Sequence, residues 1–386
     1  MEKYCIVVIG YNRVRSIQRL LESLLHVEFF GDKVDLKISL DYCGNDVVFD
    51  AVKDFAWPFG DVEVRHQKER LGLKKHVLLC GDYLNEYDAI AVLEDDVVVS
   101  PAMYAYMKQS VKQYQDDPRI AGISLYAYAW NVFAKAPFTP QPNGKDVYFM
   151  QLAQSWGQIW MKEGWLKFKQ WYADNHGDLS GSRIIPAQVR QWSDKSWLKY
   201  HIQYCVENDL YFVYPYVGLS TCFADVGEHC IYHDATLQVP LMRNTNLKYD
   251  FASLEQDPYS VYDVYFERKN VHYQDEADQV ELDIYGQKDP QHSPYRYFAS
   301  TNHYDYRIVK SYALEMRPAE ENVIHGIEGN DIHLYDLNQR ENHKTAKKKN
   351  HNVYVFYHYL YGNHAEMFKA VVYKILLKIK SVIGKH

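Results

Sequence analysis

Three short apolar runs, each followed directly by polar residues, constrain the fold of this chain more than any other feature. They are YCIVVIG at residues 4–10, LKISLD at 36–41 and DAIAVLEDD at 88–96. After the first run, apolar residues recur at helical spacing from Ile17 to Leu25. Continuously apolar strands that alternate with helices are typical of a parallel sheet covered on both faces. The sequence therefore predicts an open, mostly parallel α/β sheet.

The polar residues that follow these strands are the first candidates for a binding site, because ligands of open α/β sheets bind beyond the carboxyl ends of the strands. Gly10, Asn12 and Arg13 end or follow the first predicted strand, and Asp41 ends the second. The third strand is followed by three consecutive acids, which are Glu94, Asp95 and Asp96.

A helix and a further strand are expected after the acids. Ser100 and Pro101 match an N-cap followed by a first-turn proline, and they predict a helix that runs to about Asp116. The segment RIAGISLYAY at residues 119–128 predicts the next strand.

Composition places the chain among ordinary soluble proteins. Of its 386 residues, 47% are hydrophobic and 24% are charged, and the net charge of -7 gives no reason to expect a nucleic acid as partner. The six cysteines follow no CxxC spacing, which favours reduced thiols in a cytoplasm. The first residues carry neither a signal-peptide pattern nor a membrane-spanning one, so we expect a cytoplasmic location.

The length and the changes of pattern predict three parts. Residues 1–240 are interpreted as one α/β domain, whose second half is rich in aromatic residues. Residues 241–345 consist of short Tyr- and His-rich runs broken by turn residues, and they predict a smaller β-rich module. Residues 346–386 form a basic linker followed by an amphipathic helix.

The terminal helix carries an apolar stripe with lysines along its borders. The stripe consists of Phe368, Val371, Val372, Ile375, Leu376, Ile379, Val382 and Ile383. Lysines that border such a stripe reach toward anionic lipid head groups, which favours peripheral contact of residues 365–386 with a membrane surface. The alternative is that the stripe packs on the body of the protein.

The acidic triplet is unusual because it follows a buried strand and precedes the apolar run VVV. A pair of acids at a strand end is often a solvated loop. Here, neighbouring carboxylates between buried segments repel each other, and a divalent cation would remove the conflict. Mg²⁺ and Mn²⁺ take oxygen ligands, commonly one or two carboxylates with phosphates and water. The triplet therefore indicates a site for a metal and a nucleotide diphosphate.

The sequence also resembles the GT-A glycosyltransferases, whose signature is an acidic "DxD" triplet after a sheet strand. Over the first 130 or so residues it looks most like N-acetylglucosaminyltransferase I and its bacterial polysaccharide-building relatives. The motifs are VVIGYNRVRSIQRLLESLL, ISLDYCGND and AVLEDDVVVSPAMYAYM followed by DDPRIAGISLY. Beyond residue 130 the likeness is limited to SWGQIW, WSDKSWLKY and VYPYVGLSTCFADVGEH. The resemblance implies that residues 1–240 are a GT-A catalytic domain.

Carried over residue by residue, the resemblance implies a role for each group at the strand ends. Asp96 would bind the metal, Mn²⁺ or Mg²⁺, and Glu94 and Asp95 would face the ribose and the donor sugar. Asp41 would accept a hydrogen bond from uracil, and Arg13 would lie near the diphosphate, which its guanidinium fork suits. A UDP-sugar donor is thus implied by the resemblance alone.

The inverting family uses an Asp in a Trp-flanked segment as the base that takes the acceptor's proton. Asp194 in QWSDKSWL matches that description. Its alternative role is the N-cap of the following helix, for which Ser193 competes. Glu207 and Asp209 are the other candidates for the base.

Three further residues are weaker candidates. His229 in ADVGEH is a possible metal ligand, because some GT-A enzymes add a late His and imidazole suits Mn²⁺. Trp156 and Gly157 in SWGQIW form a wall for the donor sugar or, alternatively, a packing motif.

The sequence predicts a metal-dependent, inverting hexosyl- or N-acetylhexosaminyltransferase. Its acceptor would be a glycan or lipid-linked oligosaccharide at the inner face of a bacterial membrane. A sugar nucleotidyltransferase is disfavoured because GYNRVRS has one Gly, and a glycoside hydrolase because it needs two separated carboxylates. Two alternatives stay open: a nucleotide-sugar or glycan-binding module without turnover, and a sugar nucleotidyltransferase.

Overall fold

The structure is a computed structural model, and it describes residues 2–223, 225, 235–256, 259–343 and 364–383. The chain forms two compact units. The first comprises Met1–Tyr128, Pro140–Cys222 and Val239–Lys269, and the second comprises Ala129–Thr139, Phe223–Gln238 and Asn270–His386. Residues 241–269, assigned from the sequence to the β-rich module, group with the first unit.

The strands of both units are numbered in chain order. They are β1 (Tyr4–Gly10), β2 (Asp35–Leu40), β3 (Val62–His66), β4 (Ala89–Glu94), β5 (Val97–Val99), β6 (Ile120–Ser124), β7 (Trp130–Asn131), β8 (Ala136–Pro137), β9 (Val147–Met150), β10 (Gln158–Met161), β11 (Tyr211–Pro215), β12 (Ser220–Cys222), β13 (Val261–Tyr262), β14 (Val271–His272), β15 (Gln279–Asp283), β16 (Tyr297–Ser300), β17 (Tyr306–Tyr312) and β18 (Ile332–Arg340).

The α-helices are numbered in the same way. They are α1 (Val14–Leu25), α2 (Val47–Val52), α3 (Leu73–Cys80), α4 (Met103–Tyr114), α5 (Lys162–Asp174), α6 (Ala187–Arg190), α7 (Leu198–Glu207), α8 (Glu321–Ile324) and α9 (His364–Ile383).

The first unit is built on one large sheet, which has nine strands in the described residues, in the order β13-β9-β11-β6-β10-β4-β1-β2-β3. Strands β3, β2, β1 and β4 are parallel to one another. Strand β10 is antiparallel to both β4 and β6, so β6 runs in the same direction as β4. This is a mostly parallel, Rossmann-like sheet, and the predicted fold class is confirmed.

The apolar runs form these strands because both faces of the sheet are covered. Every residue of β1 is buried, as the continuously apolar run predicts. Helix α1 covers part of the sheet with Ile17, Leu20, Leu21 and Leu24, all of them buried. The four recur at the spacing of one helical face, so the predicted helix is confirmed.

The predicted start of α4 differs from the structure. The helix begins at Met103, and Ser100 and Pro101 lie in the turn before it. The Ser100 hydroxyl accepts a hydrogen bond from the backbone N–H of Ala102 at 3.0 Å, so Ser100 stabilises this turn. A capping residue and a first-turn proline have the same sequence signature as a tight turn that precedes a helix.

The second unit contains a five-stranded sheet in its described residues, in the order β14-β15-β16-β18-β17. Its apolar core includes Leu282, Ala299, Ile332 and Leu334, each at most 1% exposed. The fully buried carboxylate of Asp283 accepts hydrogen bonds from two backbone N–H groups of the next loop and from a hydroxyl of β16. The predicted β-rich module is therefore present.

Helix α9 confirms the predicted terminal helix. Its apolar side chains Phe368, Val371, Ile375, Leu376 and Ile379 are between 48% and 71% exposed. Contact of this stripe with a membrane stays a prediction. Among the described residues, no helix has the length and apolarity needed to cross a membrane.

Candidate functional site

The carboxyl ends of four parallel strands lie level with one another at one edge of the first sheet. Ile9 of β1 pairs with Glu94 of β4, and Gly10 pairs with Leu40 of β2. Leu40 in turn pairs with His66 at the end of β3. The loops that follow these strands therefore emerge side by side, as the sequence predicts for its polar candidates. We call this edge the carboxyl edge.

Glu94 ends β4, and Asp95 and Asp96 form the turn between the buried strands β4 and β5. Leu93 before the triplet and Val97 after it are fully buried. Strand β5, which follows the turn, pairs antiparallel with β12. Asp95 is almost fully buried at 4% exposure, whereas Glu94 and Asp96 are partly exposed. The chain thus holds all three acids at the carboxyl edge by burying apolar residues around them.

Arg13 bridges two of the three acids. Its Nη1 donates to Oδ2 of Asp96 at 3.1 Å, and its Nη2 donates to Oδ1 of Asp95. Arg13 occupies the cap position before α1, and Asp95 also accepts the backbone N–H of Tyr11. From the sequence, we expected a divalent cation to offset the repulsion between these carboxylates. In the structure, the Arg13 guanidinium offsets the repulsion between Asp95 and Asp96. Arg13 lies 82 and 83 residues before these acids, a pairing that no local pattern signals.

Two of the acids, Glu94 and Asp95, carry shifted pKa values. Burial, aided by the neighbouring carboxylates of Asp96 and Asp95, raises the pKa of Glu94 to about 8. Burial also raises the pKa of Asp95 to about 6, although Arg13 acts in the opposite direction. Burial disfavours the guanidinium charge of Arg13, yet Asp95 and Asp96 raise its pKa overall. Perturbed titratable groups of this kind cluster at functional sites.

The described side chains provide two carboxylates for one cation. Within the described ranges, no three His, Cys, Asp or Glu side chains are arranged to hold a metal ion. The Arg13 guanidinium nevertheless shows that Asp95 and Asp96 reach a single positive group together. Two carboxylates fit Mg²⁺ or Mn²⁺ when substrate phosphates and water complete the coordination. The predicted ligand His229 lies outside the described residues.

Asp41 is buried and is held by backbone amides. Its Oδ1 accepts the N–H groups of Tyr42 at 2.9 Å and Leu71 at 2.8 Å, and its Oδ2 accepts that of Gly72 at 2.9 Å. Gly72 has a positive φ of 78° and precedes α3. Asp41 therefore orders the loop between β3 and α3, and a hydrogen bond to uracil stays a prediction.

Two basic side chains that the sequence did not single out accompany this loop. The Arg70 guanidinium lies over the Tyr11 ring, 4.9 Å from its centroid. The Lys74 ammonium lies 5.0 Å from the centroid of Tyr200. The signal that could have found them is the basic run in HQKERLGLKKH, which directly follows β3. Two positively charged side chains therefore lie in or next to the loop between β3 and α3.

The loop that contains Trp156 and Gly157 also reaches the carboxyl edge. It precedes β10, whose first residue Gln158 pairs with Val92 near the end of β4. Gly157 has φ of 99°, and a Cβ there would lie 2.8 Å from the Ser220 hydroxyl oxygen, so only glycine fits without strain. The structure thus places this pair at the carboxyl edge, while its contact with a donor sugar stays a prediction. Asn12, in the loop after β1, is exposed.

Asp194 lies just before α7 and is 81% exposed. Its Oδ1 binds the ammonium of Lys199, itself 1% exposed, at 2.6 Å. Ser193 accepts the N–H of Lys195, so neither residue is the cap of α7, which is Trp197. The indole of Trp197 hydrogen-bonds Glu94, and this contact brings the segment to the acids. The role of Asp194 as base stays a prediction.

The other candidates for the base lie elsewhere. Glu207 ends α7, and Asp209 lies two residues before the first residue of β11. Strand β11 is parallel to β6, so its amino end lies at the edge of the sheet opposite the acids. Asp209 is bound there by Lys269 at 2.9 Å. Neither residue can take a proton at the carboxyl edge.

No family model matches the sequence, and no curated protein sequence matches it. Solved structures share a low similarity with it. The mannosyltransferase PcManGT from Pyrobaculum calidifontis, in complex with GDP-Man and Mn²⁺, is 15% identical, with a TM-score of 0.31 over 42% of this chain and 45% of that chain. Residues 1–349 of S. aureus TarS in complex with UDP-GlcNAc are 15% identical, with a TM-score of 0.38 over 59% of this chain and 60% of that chain.

The TarS structure in complex with UDP is 14% identical, with a TM-score of 0.37 over 55% of this chain and 57% of that chain. The chain thus spans less than two thirds of each of these structures. At these scores the similarity assigns neither a substrate nor the role of any residue.

Proposed function

We propose that the chain is a metal-dependent, inverting glycosyltransferase that moves a hexosyl or N-acetylhexosaminyl group from a UDP-sugar to a hydroxyl of a glycan or lipid-linked glycan. One observation carries the proposal. Asp95 and Asp96, held at the carboxyl edge of a parallel sheet, both bind a single cationic group. A site of this form suits a divalent cation that is shared with a diphosphate.

Asp96, with Asp95 beside it, would hold Mn²⁺ or Mg²⁺. When bound, the cation would stabilise the negative charge that develops on the leaving nucleotide diphosphate. The protein's own groups would orient the donor: Arg13 and Arg70 lie where a diphosphate would meet them, and Trp156 flanks the same edge. Arginine suits this role because its planar fork matches the geometry of phosphate oxygens.

Asp194 is our candidate for the general base. The buried Lys199 ammonium fixes the position of its carboxylate, and its exposure leaves an oxygen accessible to an acceptor hydroxyl. The hydrogen bond from Trp197 to Glu94 ties this segment to the acidic turn. A carboxylate held at such a position takes the acceptor's proton as the new glycosidic bond forms.

The test of this function is metal-dependent turnover of nucleotide sugars. The chain would be incubated with UDP-glucose, UDP-galactose, UDP-GlcNAc and UDP-GalNAc in the presence of Mn²⁺, and UDP release would be measured. We expect release with at least one donor, and we expect EDTA to lower it by about 100-fold or more.

Other outcomes would identify the alternatives. A module without turnover would be stabilised thermally by a UDP-sugar but would release no UDP. A nucleotidyltransferase would instead release pyrophosphate from UTP and a sugar 1-phosphate. Either result would contradict the proposal.

We further propose that helix α9 holds the enzyme on an anionic membrane surface, where a lipid-linked acceptor would be found. The exposed stripe of Phe368, Ile375 and Ile379 provides apolar area, and lysines lie along its borders. Such a helix binds by burying its apolar face at the head groups and by attraction to anionic lipids.

We expect the full chain to sediment with vesicles that contain phosphatidylglycerol and to lose this binding when residues 364–386 are deleted. Phe368→Glu, on the stripe, should weaken binding about tenfold or more because it places a charge in the apolar face. Ala370→Glu introduces the same charge away from the stripe and should have a much smaller effect. Equal loss in the two variants would show that net charge alone drives binding, which would contradict insertion of the stripe.

A further inference from the structure

Arg13 binds the two carboxylates that would hold a metal. Its two Nη atoms donate to two different carboxylates, one on Asp95 and one on Asp96. The Arg13 side chain is 26% exposed, and the Asp95 and Asp96 side chains are 5% and 20% exposed. Charge-assisted bonds of this kind are strong, and removal of one partner from a buried pair leaves the other charge uncompensated.

A divalent cation would compete with this guanidinium for the same two carboxylates. Arginine keeps its proton in proteins, so Arg13 cannot become neutral to make room. Two positive groups that share one carboxylate would lie a few ångströms apart and repel each other. A cation that binds alone must therefore move Arg13 off Asp96 and leave the guanidinium without its counter-charge.

A diphosphate supplies the counter-charge that the displaced guanidinium needs. Arg13 lies directly before α1, and the amino end of a helix of this length favours a nearby anion. Phosphate oxygens match the guanidinium fork as well as carboxylates do. Transfer of Arg13 from Asp95 and Asp96 to a phosphate would free both carboxylates for the cation in one step.

We propose that Arg13 is an internal counter-cation that fills the acid site when no donor is bound and moves to the diphosphate when the donor arrives, so that nucleotide and divalent cation bind as a pair. This inference rests on the proposed function. Because binding linkage is reciprocal, each ligand raises the affinity for the other by the same factor. In the absence of nucleotide, the chain then binds little Mn²⁺.

The experiment measures Mn²⁺ binding by the electron paramagnetic resonance of the free ion, with and without UDP. In the parent chain we expect UDP to tighten Mn²⁺ binding by about tenfold or more. In Arg13→Gln, Mn²⁺ alone should bind about tenfold or more tightly than in the parent chain, and UDP should add less than about threefold. Arg15→Gln is the matched control, since Arg15 is exposed and its loss removes the same charge.

Arg13→Lys keeps the positive charge but replaces the forked guanidinium with a single ammonium. It therefore neutralises the two carboxylates less well than arginine does. Its affinity for Mn²⁺ alone should lie between those of the parent chain and Arg13→Gln, and it carries the test if Arg13→Gln does not fold. If the parent chain, Arg13→Gln and Arg13→Lys bind Mn²⁺ alone with equal affinity, Arg13 is not a counter-cation. In that case the proposed function still stands if Mn²⁺ and UDP bind together. Absence of Mn²⁺ binding to the parent chain, with and without UDP, overturns both.

Discussion

Replacement of Asp96 by Asn is expected to lower the rate of sugar transfer by about 10³-fold, the largest effect of any single change at the site. Asp96 is the more exposed of the two carboxylates that Arg13 binds, with a side-chain exposure of 20% against 5% for Asp95. It would therefore be the more accessible of the two acids to a metal and its diphosphate. An amide of the same size removes the negative charge and keeps the shape, so the fold should survive.

The control for this change is Asp116→Asn. Asp116 is exposed and lies in the turn before β6, at the edge of the sheet opposite the acids. It should transfer sugar at the parent rate. Thermal melting of both variants would verify that they fold, and Mn²⁺ binding in the presence of UDP should be lost in Asp96→Asn alone. If Asp96→Asn kept more than about a tenth of the parent rate, the cation would not bind at this carboxylate.

The sequence predicts the framework of this site because burial leaves a strong pattern. Strand β1 lies at Tyr4–Gly10, as its apolar run indicates, and β2 and β4 differ from their predicted runs by only a residue or two at each end. Parallel strands with both faces covered need apolar residues at every position, and the polar residue that ends such a run marks the carboxyl edge. This pattern predicts Asp41 and the acidic triplet at the carboxyl edge.

The partners of these residues could not be predicted in the same way. Arg13 meets Asp95 across 82 residues, and Asp41 meets Leu71 and Gly72 across 30 and 31. Such contacts depend on which strands become neighbours. The local periodicity of the sequence does not predict the order of the strands in the sheet. Strand β10 illustrates this, since its four residues lie antiparallel between β4 and β6.

Three packed tryptophans, Trp197, Trp160 and Trp165, support the acids at the carboxyl edge, and we call them the tryptophan column. Trp197, which hydrogen-bonds Glu94, packs edge-to-face on Trp160 at a centroid distance of 5.5 Å. Trp160 in turn stacks on Trp165 at 3.8 Å with the rings 9° from parallel. Trp165 is 2% exposed and leaves no room for displacement in a close-packed interior.

This column rests on Gly81, and Gly81→Ala is therefore expected to destabilise the protein by about 3 kcal/mol. A Cβ at Gly81 would lie 2.1 Å from the Cε2 and Nε1 atoms of Trp165, closer than any tolerated contact. The backbone at Gly81 has φ of -64° and ψ of -14°, which alanine adopts readily, so the cost comes from the ring and not from the backbone. The measurement is the free energy of unfolding by denaturant, or the melting temperature where unfolding is irreversible.

Gly177→Ala is the matched control, because a Cβ at Gly177 meets no atom within 4 Å, and it should change stability by less than about 0.5 kcal/mol. Trp165→Leu provides the second arm of a double-mutant cycle. With the indole removed, Gly81→Ala should cost at least about 1 kcal/mol less than it does alone, and this difference is the coupling between the two positions. Additive effects would mean that the new methyl group finds its space without moving Trp165, and the column would then not be the support that holds Trp197 against Glu94.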